Sequence, residues 1–368
     1  MTASSKPEFT IGEIAQQTIY ARMPAWLSRL LLAAILGLVI LPALPHPAHY
    51  IPGERQWGQA GPAKSDMSLY RRIVIDMENG QDYYQAAATE HRRLGYPTSP
   101  APVFRMPTLA WVLLFLRTDL MRLAALALAY GTIMVLLYRE LLARKKTLPV
   151  RIAVLAAAVS GLSVAGATDA TYWHEVWAGL LIALSLLSYK RNNWWPAVVA
   201  GLIACLIREI ALPYLVVMAG FALFEGRRKE LIAWTGALLV AAVASILHLS
   251  VASGLAQAGD MVSASWLGFG GWDFAIASAK WNVLLHSLPY PLIALAICLG
   301  VIGLAGANDS RASRAAFLVG GYLMAFLIVG RPDNYYWGII FTPLLPMGWI
   351  FAWRAMRELT GNCLHRRS

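Results

Sequence analysis

Three short polar groups interrupt or border long apolar runs: His174 with Glu175, Arg208 with Glu209, and Arg331 with Asp333. Charges at such positions are costly in hydrocarbon, so they imply a polar cleft walled by protein. Each guanidinium offers a planar fork suited to a phosphate diester. The same residues could instead be ion pairs, Arg208 to Glu209 and Arg331 to Asp333, bracing helix ends. Arg105 and Lys280 are further cations that could hold an anion, the second of them beside Trp281 and Trp272, which read as interfacial anchors. His174 and Glu175, next to Trp173, could form an aromatic platform, a metal contact or a second acid. One His and one Glu make a poor metal site, and there is no His-Glu-x-x-His pattern or His/Cys cluster, so no metal or other cofactor is expected to be required. Asp66 stands at the start of an expected helix, whose backbone N–H groups would hold it ionised and oriented rather than buried. That suits either a carboxylate base or a simple helix cap. Asp82 begins a second helix, as a cap or a substrate contact.

The chain that must position these groups is strongly apolar. Of its 368 residues 58% are hydrophobic and 14% charged, and mean hydropathy is +0.54. One water-facing core could not hide so much apolar surface, so a soluble domain is excluded and the expected solvent is lipid. The net charge of +11 does not signal nucleic acid, because the basic residues fall in short clusters between apolar runs. Cys205 and Cys298 lie within such runs and Cys363 in the basic tail, which argues against a disulfide framework. The first run, Ala25 to Leu44, is longer than a signal h-region, lacks a small-residue cleavage site, and reads as a retained anchor.

Crossing a bilayer core of about 30 Å takes about 20 helical residues. About ten spans are expected, near 25–44, 119–138, 150–168, 174–189, 194–208, 210–224, 231–251, 286–305, 315–330 and 338–353, in one all-α polytopic domain over 1–368. The connections around Arg144 with Lys145 and Lys146, Lys190 with Arg191, Arg227 with Arg228 and Lys229, Arg311 with Arg314, and the tail with Arg354 and Arg357 are basic. The positive-inside rule makes them cytoplasmic, together with both termini. Two long loops, 45–118 and 252–285, are then extracytoplasmic, as are tight turns at Asp169, Arg208 and Arg331. Because both flanks of the stretch from Trp194 to Phe224 are basic, the chain must double back at Arg208. Its arms fall short of the bilayer core, so the apex should be sunken.

Loop one is patterned. Ser65 or Asp66 can cap a helix bearing Leu69, Tyr70, Ile73, Val74 and Met77 and ending at Gly80, and Asp82 can cap another, from Tyr83 to Gly95. Both are amphipathic and are expected to lie in the membrane interface with their apolar faces down. The stretch from Pro107 to Leu116 is too short to span and reads as re-entrant or interfacial.

The run Asp66, Tyr70, Ile73, Met77, Gly80 and Tyr83, followed by Arg105, Pro107, Leu109 and Trp111, resembles the first periplasmic loop of GT-C glycosyltransferases. The likeness is to protein O-mannosyltransferases and the lipid A aminoarabinose transferase, and it covers about 50 residues well. Met67 stands where a second acid is common in the family, and Thr108 where a second proline is. The resemblance implies inverting transfer of a sugar from a polyprenyl-phosphate carrier to an envelope lipid, glycan or protein, with Asp66 as general base. It places the site on the extracytoplasmic face of a membrane, the bacterial inner membrane being the natural location. Tyr70, Asp82, Tyr83, Arg105, Trp173, His174, Glu175, Arg208, Glu209, Lys280, Arg331, Asp333 and Tyr335 are then candidate substrate contacts. A divalent metal is not indicated, and the expected partners are the donor, the acceptor and the bilayer. A transporter or flippase for a lipid-linked or anionic substrate is the rival, since sunken charges could also line a permeation path.

Overall fold

The computed structural model describes residues 18–44, 66–167 and 169–364. Ser65, loop one up to residue 65, and position 168 at the end of the third expected span lie outside the described residues. Among the described residues the chain is all-helical and has no β-strand. In order the helices are α1 (Ala25–Ile40), α2 (Asp66–Glu78), α3 (Tyr83–Leu94), α4 (Thr108–Phe115), α5 (Asp119–Ala143), α6 (Leu148–Gly161), α7 (His174–Ser188), α8 (Trp195–Ile207), α9 (Leu212–Phe224), α10 (Arg228–Ser253), α11 (Gly271–Ala279), α12 (Tyr290–Ala305), α13 (Ser310–Ile328) and α14 (Leu345–Leu364).

Each expected span overlaps a helix, but the helices differ in reach, and α14 begins seven residues into the last expected span, 338–353, and runs beyond it. Four are long and apolar enough to cross a membrane: α1 extended to Ala43, α5, α10 and α13. A fifth candidate is the pair Asp333–Ile340 and Leu345–Leu364, bent by 70°. Helices α6, α7, α8, α9 and α12 are apolar but shorter. Proline in the first turn of α6, α8, α9 and α12 is one reason, because it sets where each helix can begin. The outer faces of α5 and α10 expose Leu120, Leu128, Ile232, Leu239 and Ile246. Apolar helices with bare apolar faces point to a membrane-embedded protein.

The chain does double back at Arg208. Gly201 of α8 packs against Tyr214 and Leu215 of α9, residues nearly equidistant from the turn. At the far end Arg227 donates to the Tyr189 hydroxyl and the Arg191 carbonyl, so the two basic flanks meet. Each arm has 13 residues, about 20 Å at 1.5 Å per residue. The same end of the bundle gathers the other basic connections into ion pairs: Arg144 with Asp309 at 2.7 Å, Arg311 with Glu140 at 2.7 Å, and Arg314 with Glu225 at 2.9 Å.

Helices α12 and α14 touch through glycine. A Cβ added at Gly303 would lie 1.9 Å from the Gly348 carbonyl oxygen, and one at Gly348 would lie 1.8 Å from that of Gly300. Only hydrogen fits there, and backbone packing of this closeness is how helices associate where lipid removes the hydrophobic drive.

Loop one covers the opposite end. Helix α2 buries Leu69, Ile73, Val74 and Met77, one face at helical spacing. In α3, Asp82 accepts from the Tyr84 and Gln85 amides, and Gly95 ends the helix at φ 69°. The expectation that both helices turn their apolar faces down into the membrane interface is corrected: those faces pack on each other, on α4 and on the bundle. It is α4 that presents Trp111, Val112 and Phe115 outward. Arg122, buried on α5, ties this layer down by donating to the Leu113 carbonyl at 3.0 Å, Asp119 at 3.0 Å, the Tyr172 hydroxyl at 2.9 Å, and Glu78 of α2. Loop two is not wholly loop either, since it contains α11, buried through Phe274, Ala275 and Ile276.

Candidate functional site

Five loop-one residues and the ends of four bundle segments meet in one polar cluster. Asp66 begins α2, and its Oδ1 accepts a hydrogen bond from the Tyr96 hydroxyl at 2.8 Å. Arg105 follows α3, where the Tyr83 hydroxyl donates to its carbonyl at 2.5 Å. The Arg105 guanidinium donates through Nε to the Tyr70 hydroxyl and through Nη2 to the Tyr336 hydroxyl, both at 3.0 Å. Tyr70 sets its ring edge-on to His174, 4.6 Å between centroids. Beside His174, Glu175 accepts from Arg208 Nε at 2.5 Å, and Glu209 accepts from Arg208 Nη1. The start of α7, the turn at Arg208 and the segment after α13 thus meet around Arg105.

Burial raises the pKa of Asp66. The Tyr96 hydrogen bond and the Arg105 charge oppose that rise, and Glu175 and Asp333 add to it. Asp66 stands in the first turn of α2 as expected, but it is half-buried among protein atoms, where its charged form is less well solvated than at an open helix start. Burial also works against the charge on Arg105, but the oxygens of Tyr70 and Tyr336 and the carboxylates of Glu175 and Glu209 outweigh it and raise its pKa. Tyr70, Tyr83 and Tyr96 are all shifted upward, by burial first, so each stays a phenol at neutral pH.

The cations differ in what they already hold. Arg208, 1% exposed, is matched by Glu175 and Glu209. Arg331 clasps Asp333 through Nε and Nη2, both at 2.6 Å, and through Nη1 reaches Ser263 Oγ and the Ala264 carbonyl of loop two. Lys280 lies over the Tyr290 ring, 5.4 Å from its centroid. Arg105 differs: among the described residues its partners are phenols, and no carboxylate lies within ion-pair distance. Two buried nitrogens of the cluster, His174 Nδ1 and Arg208 Nη2, have no hydrogen-bond partner among the described residues.

Asp66, Tyr70, Tyr83, Arg105, His174, Glu175, Arg208 and Glu209 are therefore brought together. Asp333 reaches the cluster through its field on Asp66. Asp82 is an exposed cap outside it, and Lys280 and Arg331 are engaged elsewhere. Trp173 and Tyr335 pack on Trp281, edge-on at 5.0 Å and stacked at 5.2 Å, so those rings cover one another instead of offering free faces. A narrow void between Tyr70, Tyr83, Tyr172 and His174 adjoins the cluster and has room for about one water. Among the described residues no three His, Cys, Asp or Glu side chains gather as metal ligands.

Tyr96 and Tyr336 hold Asp66 and Arg105; in sequence Tyr336 is one of several aromatics beside the Arg331 turn, suited to a sugar face or a membrane belt, and Tyr96 does not stand out. Tyr96 did carry a signal. It follows the left-handed Gly95, and its amide donates to the His91 carbonyl at 2.7 Å, the helix-ending motif that folds the next side chain back. No family model, curated protein or solved structure matches this chain.

Proposed function

We propose that the protein is a membrane glycosyltransferase that moves a sugar from a polyprenyl-phosphate carrier to an envelope lipid, glycan or protein. The observation that carries this reading is Arg105, a guanidinium whose side-chain hydrogen bonds go only to phenols among the described residues, in one cluster with the Asp66 carboxylate. Such a cation suits a phosphate, and Tyr70 and Tyr336 would yield their hydrogen bonds to its oxygens. Asp66 takes the proton of the acceptor hydroxyl as that oxygen bonds to the anomeric carbon. The bond from that carbon to the phosphate oxygen breaks, and the departing lipid phosphate carries its charge to Arg105. A carboxyl made more basic by burial is the better proton acceptor near neutral pH. Attack opposite the leaving group inverts the anomeric centre. In this reading all ten apolar helices cross the bacterial inner membrane, the ion-paired basic end is cytoplasmic with both termini, and the cluster is extracytoplasmic. His174, Glu175, Arg208 and Glu209 form the polar floor of the site.

The experiment is reconstitution in vesicles with a polyprenyl-phosphate sugar, paired with mass spectrometry of envelope glycolipids and glycans with and without the gene product. Release of free polyprenyl phosphate and loss of one sugar are expected; neither occurring would overturn the proposal. One observation favours a second reading, a transporter: the apolar helices are interrupted, by the turn at Arg208 and by the 70° bend between Ile340 and Leu345. Accumulation of an anionic substrate inside the vesicles, without release of carrier phosphate, would select it.

A further inference from the structure

Loop two carries an apolar surface that the polar cluster does not use. Between α10 and α11, Met261, Val262, Leu267 and Phe269 are 56%, 69%, 76% and 87% exposed. From Met261 to Trp272 the chain has no ionisable side chain. The charge just before this segment is neutralised, with Asp260 accepting from Arg92 at 2.9 and 2.8 Å and from Thr98 at 2.7 Å. Arg331, already paired with Asp333, holds the segment from beneath through Ser263 and Ala264.

The segment is pinned to two of the helices long enough to cross a membrane. The Gly330 amide, just past α13, donates to the Gly268 carbonyl at 3.0 Å. Trp272 Nε1 donates to the Leu38 carbonyl of α1 at 2.8 Å. Near those contacts α1 exposes Leu36, Ile40 and Leu41, and α13 exposes Met324 and Ile328. The patch therefore continues the lipid-facing belt of α1 and α13 beyond the ends of the helices. A charge-free, outward apolar loop at that level fits the boundary between headgroups and acyl chains.

We propose that the segment from Met261 to Phe269 inserts into the lipid leaflet at the end of the bundle that carries the polar cluster. Through Arg331 and Asp333 it couples the depth of the membrane surface to the turn that holds Tyr336. This inference stands apart from the glycosyl-transfer reading and survives its failure.

The test uses the full chain with Cys363→Ser, which leaves only the buried Cys205 and Cys298. Phe269→Cys carries an environment-sensitive fluorophore, in vesicles of phosphatidylcholine and phosphatidylglycerol. Leu267→Cys repeats the measurement in case the first variant misfolds, and Gln81→Cys, on the exposed turn after α2, is the aqueous control. Doxyl-labelled phospholipid should quench the label at 269 or 267 while iodide on both faces of the membrane does not, with the reverse at 81. Quenching by iodide at 269 and 267 to the extent seen at 81 would overturn the proposal. So would protection from both quenchers, which would mean that protein covers the patch.

Discussion

Replacing Arg208 by methionine removes the charge that faces Glu175 and Glu209. The Glu209 side chain is 35% exposed and can recover water, but that of Glu175 is 2% exposed and cannot. Stranding one member of a buried pair costs about 3–5 kcal/mol. Arg208→Met should therefore lose about 3–5 kcal/mol. Adding Glu175→Gln removes the stranded charge and should restore most of the stability. Equilibrium unfolding by SDS titration in mixed micelles compares the parent with both variants. A single variant as stable as the parent, or a double variant no more stable than the single one, would refute the buried-pair argument.

Asp66→Asn should cut release of polyprenyl phosphate by about 10²- to 10⁴-fold while elution and thermal melting stay as in the parent; near-normal turnover would remove Asp66 from the mechanism. Arg105→Gln should weaken binding of polyprenyl phosphate by about 1.5–3 kcal/mol, roughly 10- to 150-fold in Kd, measurable by titration in nanodiscs. Burial pushes His91, on α3, down to about 4, so the unfolded chain takes up its proton first as the pH falls. Stability should decline from about pH 6.5 to about 4 by up to about 3 kcal/mol, and His91→Gln should flatten that part of the curve.

Much of the architecture is legible in local chemistry. Basic residues on both flanks of one apolar stretch require a chain that doubles back at Arg208, and it does. Asp82 and Gly95 are the residue types that open and close a helix, and α3 begins and ends with them. What sequence does not carry is the choice among like residues far apart in the chain. Arg105, Arg208, Arg331 and Lys280 are all cations beside apolar runs, and only their partners separate them. Tyr336 lies 231 positions from the guanidinium it holds, and Tyr96 lies 30 from Asp66. Helix α11 escapes notice because its nine residues are too few for a periodic pattern to emerge. The burial of Asp66 is equally non-local, since it depends on α3, Arg105 and the turn after α13 closing around a helix start that alone would be wet.

The seam between α12 and α14 has a mechanical corollary. With carbonyl against alpha carbon at Gly300, Gly303 and Gly348 there is no slack for the two rods to slide or part, so they act as a single beam. The turn bearing Tyr336 is built directly onto one end of that beam. The placement of the phenol on Arg105 is thus inherited from three missing methyl groups deep among the helices. A single added carbon there would lever the mouth of the cluster without touching any residue in it.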